Sequence, residues 1–301
     1  MLSWRMQAGQ TQDWSDSPMS RLQVLFGLAV TMPFWFGLAS GLVHAKDSFE
    51  SPDVLVLGDS QLSFGAGVAF LEFFKQHGVS CGLPRQSSIG VIGVRSSQLV
   101  AWTARDDRGK KSICDVDPKW KVNAGSFGVI NKTNNKYVQI GQGTAYQFCK
   151  PGLSPLQAMF ADAYYDPKLL VFFILGNATE RWASSYADAL HDVKRTLKDL
   201  PRHLPCVFMT TAPAYTRNVV KQRKQAQDNV ERAFAATGNR CSFVRGYTEA
   251  TIAANLGNAA NFRRRPDGTV KDPYHPTEDS ARQFLSLVKT DLCNAIRAQL
   301  K

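Results

Sequence analysis

Three side chains that together can move an acyl group stand at two places in this chain. Ser60 follows Gly58-Asp59 directly behind the apolar run Val54-Leu55-Val56-Leu57, and His275 lies in Asp272-Pro273-Tyr274-His275-Pro276 near the carboxyl end. A serine hydroxyl attacks carbonyl carbon only when a base takes its proton, and imidazole is suited to that task near neutral pH. A carboxylate three residues before the histidine can reach Nδ1 within a turn, which fixes the tautomer and leaves Nε2 for the serine. Pro273 and Pro276 restrict the loop backbone and so the directions open to the ring. Attack on a carbonyl also requires donors for the oxyanion that develops. The candidates are the backbone N–H groups of Ser60 and Gly93 and the side chain of Asn177, each just past an apolar run.

Those runs belong to elements whose order implies a fold. Val54–Leu57 reads as a buried parallel strand stopped by a tight turn, followed by a helix over 68–76 with Gly78 as its C-cap. Ser88–Val94 is a second strand, Leu169–Leu175 the central one, Pro205–Thr210 a fourth and Cys241–Val244 a fifth. Helices are expected over 156–163, 186–200, 218–236 and from Glu278, capped by Thr277, to about Ala298. Strands alternating with helices imply right-handed βαβ units and a parallel sheet covered on both faces. In such sheets chemistry sits beyond the carboxyl ends of the strands, where Ser60, Gly93 and Asn177 stand.

Residues 101–152 break the alternation: charged at first, then rich in glycine and asparagine. They read as an insertion of short hairpins closed by Cys114 and Cys149, and as a lid or glycan-contacting flap if they face substrate. Residues 1–45 form a separate segment. The uncharged run Leu22–Val43 behind Arg21, ending in Val43-His44-Ala45, reads as a signal peptide or, if uncleaved, as an amino-terminal membrane anchor. Met19 would begin a better-proportioned signal than Met1. The chain from 46 to 301 is then an exported domain, periplasmic or secreted.

All six cysteines follow that segment, which favours disulfides over free thiols. Cys206 and Cys241 each open a strand expected to be a neighbour of the other; Cys114 with Cys149 would close the insertion, and Cys81 with Cys293 follows by elimination. Metal binding is not expected, because no Cys-x-x-Cys pair occurs and the five histidines lack ligand spacing. No cofactor motif is present either. The net charge of +11 makes an anionic polysaccharide a possible partner, but no interleaved aromatic platform or nucleic-acid motif accompanies it, so nucleic acid is not expected. The cluster Arg263-Arg264-Arg265 precedes the turn signal Pro266-Asp267-Gly268 and reads as a solvated loop.

From Val54 to the carboxyl terminus the chain resembles the SGNH (GDSL) hydrolase family. Gly58-Asp59-Ser60 is similar to its nucleophile block, Ile92-Gly93-Val94-Arg95-Ser96 to its glycine block, and Asp272-Pro273-Tyr274-His275-Pro276 to its closing Asp-x-x-His block. The resemblance implies a three-layer αβα sandwich on five parallel strands in order 2-1-3-4-5, which agrees with the element order above. It departs at the third block. The family has Gly-x-Asn-Asp after the central strand, whereas Gly176-Asn177-Ala178-Thr179 puts alanine where asparagine belongs. A turn one residue shorter makes Asn177 the oxyanion donor; otherwise that donor is missing. What the resemblance implies is a serine esterase acting on acyl, above all acetyl, esters of small molecules or of envelope or extracellular glycans. The same residues would serve O-acyltransfer to a sugar hydroxyl, and the altered third block leaves open a non-catalytic glycan-binding protein.

Overall fold

Alternation along the strands decides which side of the sheet each apolar residue serves. The computed structural model describes residues 51–105, 126–127, 138–139, 150 and 152–301. Its first strands and helices are β1 (Val54–Gly58), α1 (Gly67–His77), β2 (Ile89–Gly93) and α2 (Leu99–Thr103). Next come two-residue strands β3 (Ser126–Phe127) and β4 (Val138–Gln139), which pair antiparallel, then α3 (Pro155–Phe160) and β5 (Leu169–Phe173). The carboxyl half holds α4 (Thr179–Ser184), α5 (Tyr186–Asp199), β6 (Cys206–Met209), α6 (Arg217–Ala235), β7 (Cys241–Val244), α7 (Glu249–Asn255), α8 (Glu278–Leu287) and α9 (Lys289–Gln299).

The main sheet is β2-β1-β5-β6-β7 with every pairing parallel, which is the expected order with β1 next to the central strand. Leu55, Leu57, Leu170, Phe172, Cys206 and Phe208 serve one face, together with Trp102, Trp182, Val193, Val230 and Phe234 from helices α2 and α4 to α6. Val54, Val56, Val171, Phe173, Val207 and Met209 serve the other, against Phe70, Phe74, Phe284, Leu292 and Ile296 of α1, α8 and α9. Because both faces are dry, the strands carry no polar alternation; that is why they read as continuous apolar runs.

Helices α4 and α7 form where none was expected, and three expected elements come out differently. Residues 101–103, expected to open the insertion, belong instead to α2, which carries Trp102 fully into the core. The helix expected over 156–163 ends at Phe160, and Asp162 and Ala163 then take left-handed backbone angles (φ 56° and 51°). The single carboxyl-terminal helix is two. Val288 interrupts it, so that α8 lies along α1 while α9 turns to cover β6 and β7.

Disulfides Cys206–Cys241 and Cys81–Cys293 are both formed. The first joins residues that face each other in the β6–β7 register; the second ties the turn after α1 to α9. The Cys114–Cys149 pairing and the reading of residues 1–45 lie outside the described residues. Among the described residues no helix is long and apolar enough to cross a membrane.

Candidate active site

Asp59 organises the carboxyl edge of the sheet. It is wholly buried, and its Oδ1 accepts the N–H of Gln61 at 2.9 Å while Oδ2 accepts those of Leu175 and Gly176 at 3.3 and 3.0 Å. One carboxylate thus caps the turn after β1 and fastens it to the turn after β5. Burial pushes its carboxyl above the ordinary value, opposed by the Gln61 and Leu175 N–H groups and by the charges of Arg223 and His275. Ser60 opens the helical turn after β1, so its N–H is one of those that have no acceptor within the helix.

The structure brings Ser60, His275 and Asp272 into one line. Ser60 Oγ lies 2.8 Å from His275 Nε2, and His275 Nδ1 lies 2.7 Å from Asp272 Oδ2. Asp272 Oδ1 accepts the backbone N–H groups of Tyr274 and His275 at 3.0 and 3.2 Å, so the carboxylate is held from two sides. With the Nδ1 proton directed at Asp272, Nε2 presents its lone pair to the serine hydroxyl. The imidazole is 19% exposed, open enough to meet a substrate and dry enough to keep these bonds.

The loop holding His275 is anchored from several elements. The Tyr215 N–H donates to the Pro273 carbonyl at 2.9 Å, and the Thr277 N–H to the Asn261 carbonyl at 2.8 Å. Gln61, only 4% exposed, donates through Nε2 to the carbonyls of Ala212 (3.0 Å) and Tyr274 (2.9 Å) and accepts the Ala212 N–H at Oε1 (3.0 Å). The residue after the serine therefore holds the residue before the histidine.

The oxyanion candidates divide. Asn177 lines the cavity and is exposed to it; its Nδ2 gives one proton to the Ser97 carbonyl at 3.1 Å, which leaves the other for a ligand. Ser97 can reach it because Ser96 turns the chain off β2 with φ 60°. Gly93 is differently disposed. In the parallel ladder the Val94 N–H bonds the Gly58 carbonyl, so the neighbouring Gly93 N–H points away from β1 and from Ser60. What glycine provides there is close approach, since a Cβ would lie 2.7 Å from the backbone nitrogen of Ser63. Gly93 does not line the cavity, whereas Arg95 and Ser96 do.

The cavity has a volume of about 440 Å³ and is bounded by Ser60, His275, Asn177, Phe64, Arg95, Arg223 and Tyr274 among others. Phe64 packs on the His275 ring with centroids 4.6 Å apart and carries the Arg95 guanidinium 4.3 Å above its own ring. Arg223, from α6, is 5% exposed; its Nη1 donates to Tyr247 Oη at 3.3 Å, and Tyr247 in turn donates to the Ala212 carbonyl at 3.2 Å. Burial opposes its charge, but Tyr247, Asp59 and Tyr274 outweigh that and hold it above the ordinary arginine value. Gly176 leaves room for it, since a Cβ would lie 3.3 Å from Arg223 Nη2. Gln61, Phe64, Arg95, Arg223 and Tyr274 escaped the sequence reading as site residues. Only Gln61, Phe64, Arg95 and Tyr274 carried a signal, by lying beside residues already singled out.

No family model matches the chain, and no curated protein does. Solved structures similar to it include a lipase/acylhydrolase from Enterococcus faecalis, at 12% identity over 80% of this chain and 95% of that one, with a TM-score of 0.43. A family 3 carbohydrate esterase from Clostridium thermocellum is similar at 12% identity over 82% and 99%, with a TM-score of 0.41. The SGNH-hydrolase family esterase AlinE4 is similar at 16% identity over 82% and 97%, with a TM-score of 0.37.

Proposed function

We propose that this protein is a serine ester hydrolase of the SGNH type, with Ser60 as nucleophile, His275 as general base and acid, and Asp272 as the group that orients the imidazole. The observation that carries this is the unbroken line Asp272 Oδ2–His275 Nδ1 at 2.7 Å and His275 Nε2–Ser60 Oγ at 2.8 Å, beside a cavity. A degenerate, purely binding site would have no need to keep a hydroxyl on an oriented imidazole.

Ser60 Oγ attacks the ester carbonyl carbon as its proton passes to His275 Nε2, and the carbonyl π pair becomes the oxyanion. Donors for that oxygen are the Ser60 N–H and the second Asn177 Nδ2 proton; Gly93, expected as a third, has its N–H turned away. Collapse of the adduct breaks the bond to the alcohol oxygen, which takes the proton from His275 and departs. Water then attacks the acyl-serine with His275 again receiving a proton. Carboxylic acid leaves and Ser60 regains its hydrogen. Asp272 stays ionised throughout and stabilises the imidazolium.

The substrate class we favour is an acetyl ester on an extracellular or envelope glycan, reached by a domain exported through residues 1–45. Two disulfides suit an oxidising compartment. The test is hydrolysis of 4-nitrophenyl acetate by the wild-type protein beside Ser60→Ala. The wild type should exceed the variant by at least about 1000-fold in kcat, as loss of a nucleophile typically gives. Equal rates would defeat the proposal, and acetylated sugar forming in place of free acetate would assign the protein to acyltransfer.

A further inference from the structure

The cavity beside Ser60 has an electrostatic character that ester hydrolysis does not require. Arg95, Arg223 and His275 all line it; among the described residues the one lining carboxylate, Asp59, is wholly buried and spends its oxygens on the N–H groups of Gln61, Leu175 and Gly176. Each arginine is backed by an aromatic ring that flanks the histidine. Arg95 lies 4.3 Å over Phe64, and Arg223 lies 5.7 Å from the centroid of Tyr274, a residue that is 45% exposed. Stacking engages the face of the Arg223 guanidinium and leaves N–H donors in its plane, where they match the two oxygens of a carboxylate.

Arg223 sharpens the point. It is 5% exposed, yet among the described residues its single hydrogen bond is the 3.3 Å contact from Nη1 to Tyr247 Oη. Asp59 is near enough to stabilise its charge but does not form an ion pair with it. No Arg223 nitrogen is among the buried side-chain atoms that lack a partner, so the donors it does not spend on Tyr247 open on the cavity, where a bound anion can take them. Its Nη2 lies against Gly176, next to Asn177, so a group bound there would sit close to the reacting carbonyl. At the rim the Arg263 guanidinium also lies 5.2 Å from the Phe64 ring, which adds a third positive charge to the approach.

We infer that the substrate is an acidic ester, one that carries a carboxylate held by Arg223 and Arg95 while the ester carbonyl faces Ser60. This rests on the reading of Ser60 as nucleophile for the orientation of the ester, but not for the binding of the carboxylate. The carboxylate belongs either to the acyl part or to the alcohol part, and paired probes distinguish the two. For the acyl side the probes are 4-nitrophenyl hydrogen succinate and its methyl ester. For the alcohol side they are 4-acetoxybenzoate and methyl 4-acetoxybenzoate.

Binding is measured calorimetrically on Ser60→Ala, where turnover cannot intervene, and kcat/KM on the protein with Ser60 intact. In at least one pair the acid should bind about tenfold or more tightly than its neutral match, as charge-assisted hydrogen bonds give. That ratio should shrink toward one in Arg95→Gln and in Arg223→Gln, and should fall as sodium chloride is raised to about 1 M. Arg95 lies at the cavity wall, so its variant is expected to fold; melting of both variants is checked first. Acids binding no tighter than their neutral matches, or a ratio unmoved by Arg95→Gln, would overturn the inference. Tighter acid binding without turnover above Ser60→Ala would keep it and defeat the esterase instead.

Discussion

Replacing Gln61 by leucine probes how the two halves of the site are held together. Gln61 makes three hydrogen bonds to the carbonyls of Ala212 and Tyr274 and to the Ala212 N–H, at 3.0, 2.9 and 3.0 Å, from a side chain that is 4% exposed. Leucine fills much of the same space but strands the Ala212 N–H, whereas the Ala212 carbonyl keeps the Tyr247 hydroxyl at 3.2 Å. The buried Ala212 N–H would cost about 1 to 3 kcal/mol, while the Ala212 carbonyl, still bonded to Tyr247, and the carbonyl of the exposed Tyr274, which can be hydrated, cost less. The sum is about 3 kcal/mol, equivalent to about 6 to 12 °C in Tm for a domain of this size. Urea denaturation with the disulfides intact, followed by tryptophan fluorescence, measures it. The second consequence is kinetic. With the tie between the Ser60 turn and the His275 loop gone, kcat on 4-nitrophenyl acetate should fall about 10- to 100-fold at a temperature where the variant is still folded. A loss below about 1 kcal/mol together with an unchanged kcat would show that Tyr215, Asn261 and the prolines hold the loop without it, and would refute the clamp.

Asn177→Ala should lower kcat about 100- to 1000-fold and leave KM within a few-fold, because the amide meets the carbonyl oxygen only as charge develops; burst kinetics with 4-nitrophenyl acetate check it. Asp53→Asn tests the amino end of the sheet. Asp53 accepts the Ser88 N–H and Oγ–H at 2.7 and 3.0 Å and pairs with Lys168 at 2.9 Å. Burial pushes its carboxyl up, but the Ser88 and Lys168 contacts pull it below 3.8 by more. The wild type should therefore be more stable than Asp53→Asn by about 1 kcal/mol above pH 4, an advantage lost as pH falls through the depressed value and visible in melts from pH 7 to pH 2. Removing both Cys81 and Cys293 as serines opens a crosslink spanning 212 residues and should cost about 2 to 5 kcal/mol in urea midpoint analysis.

Local chemistry carried most of the fold into the sequence. Strands buried on both faces must be apolar without interruption, so Val54–Leu57 and Leu169–Leu175 were legible as strands. Once strands alternate with helices, the handedness of the βαβ unit leaves few orders for the sheet. Ser60, Asp272 and His275 were legible for the same reason: Asp272 and His275 meet within one turn, and Ser60 stands at a strand end where such sheets place their chemistry. The break at Val288 was not, since the helix pattern continues across it and only the need of α9 to reach β6 and β7 divides it.

What the tertiary structure decided concerns directions and distant partners. Gly93 was readable as a glycine at the end of a strand, but which way its N–H points depends on the register of β2 against β1, and that register spends the Val94 N–H on Gly58 and turns the Gly93 N–H outward. Asn177 stood one residue out of the expected spacing. Its placement follows from Asp59, which grips the N–H groups of Leu175 and Gly176 across the sheet, and from Ser97, which takes one amide proton. Arg223 lies in a helix whose sequence shows only a polar surface; it becomes a cavity residue because α6 packs against α4, the helix that follows the turn after β5, where Gly176 leaves it room. Chain spacing encodes neighbours within a turn or a strand, whereas a hydrogen bond between strand ends exists only once the sheet has brought them together.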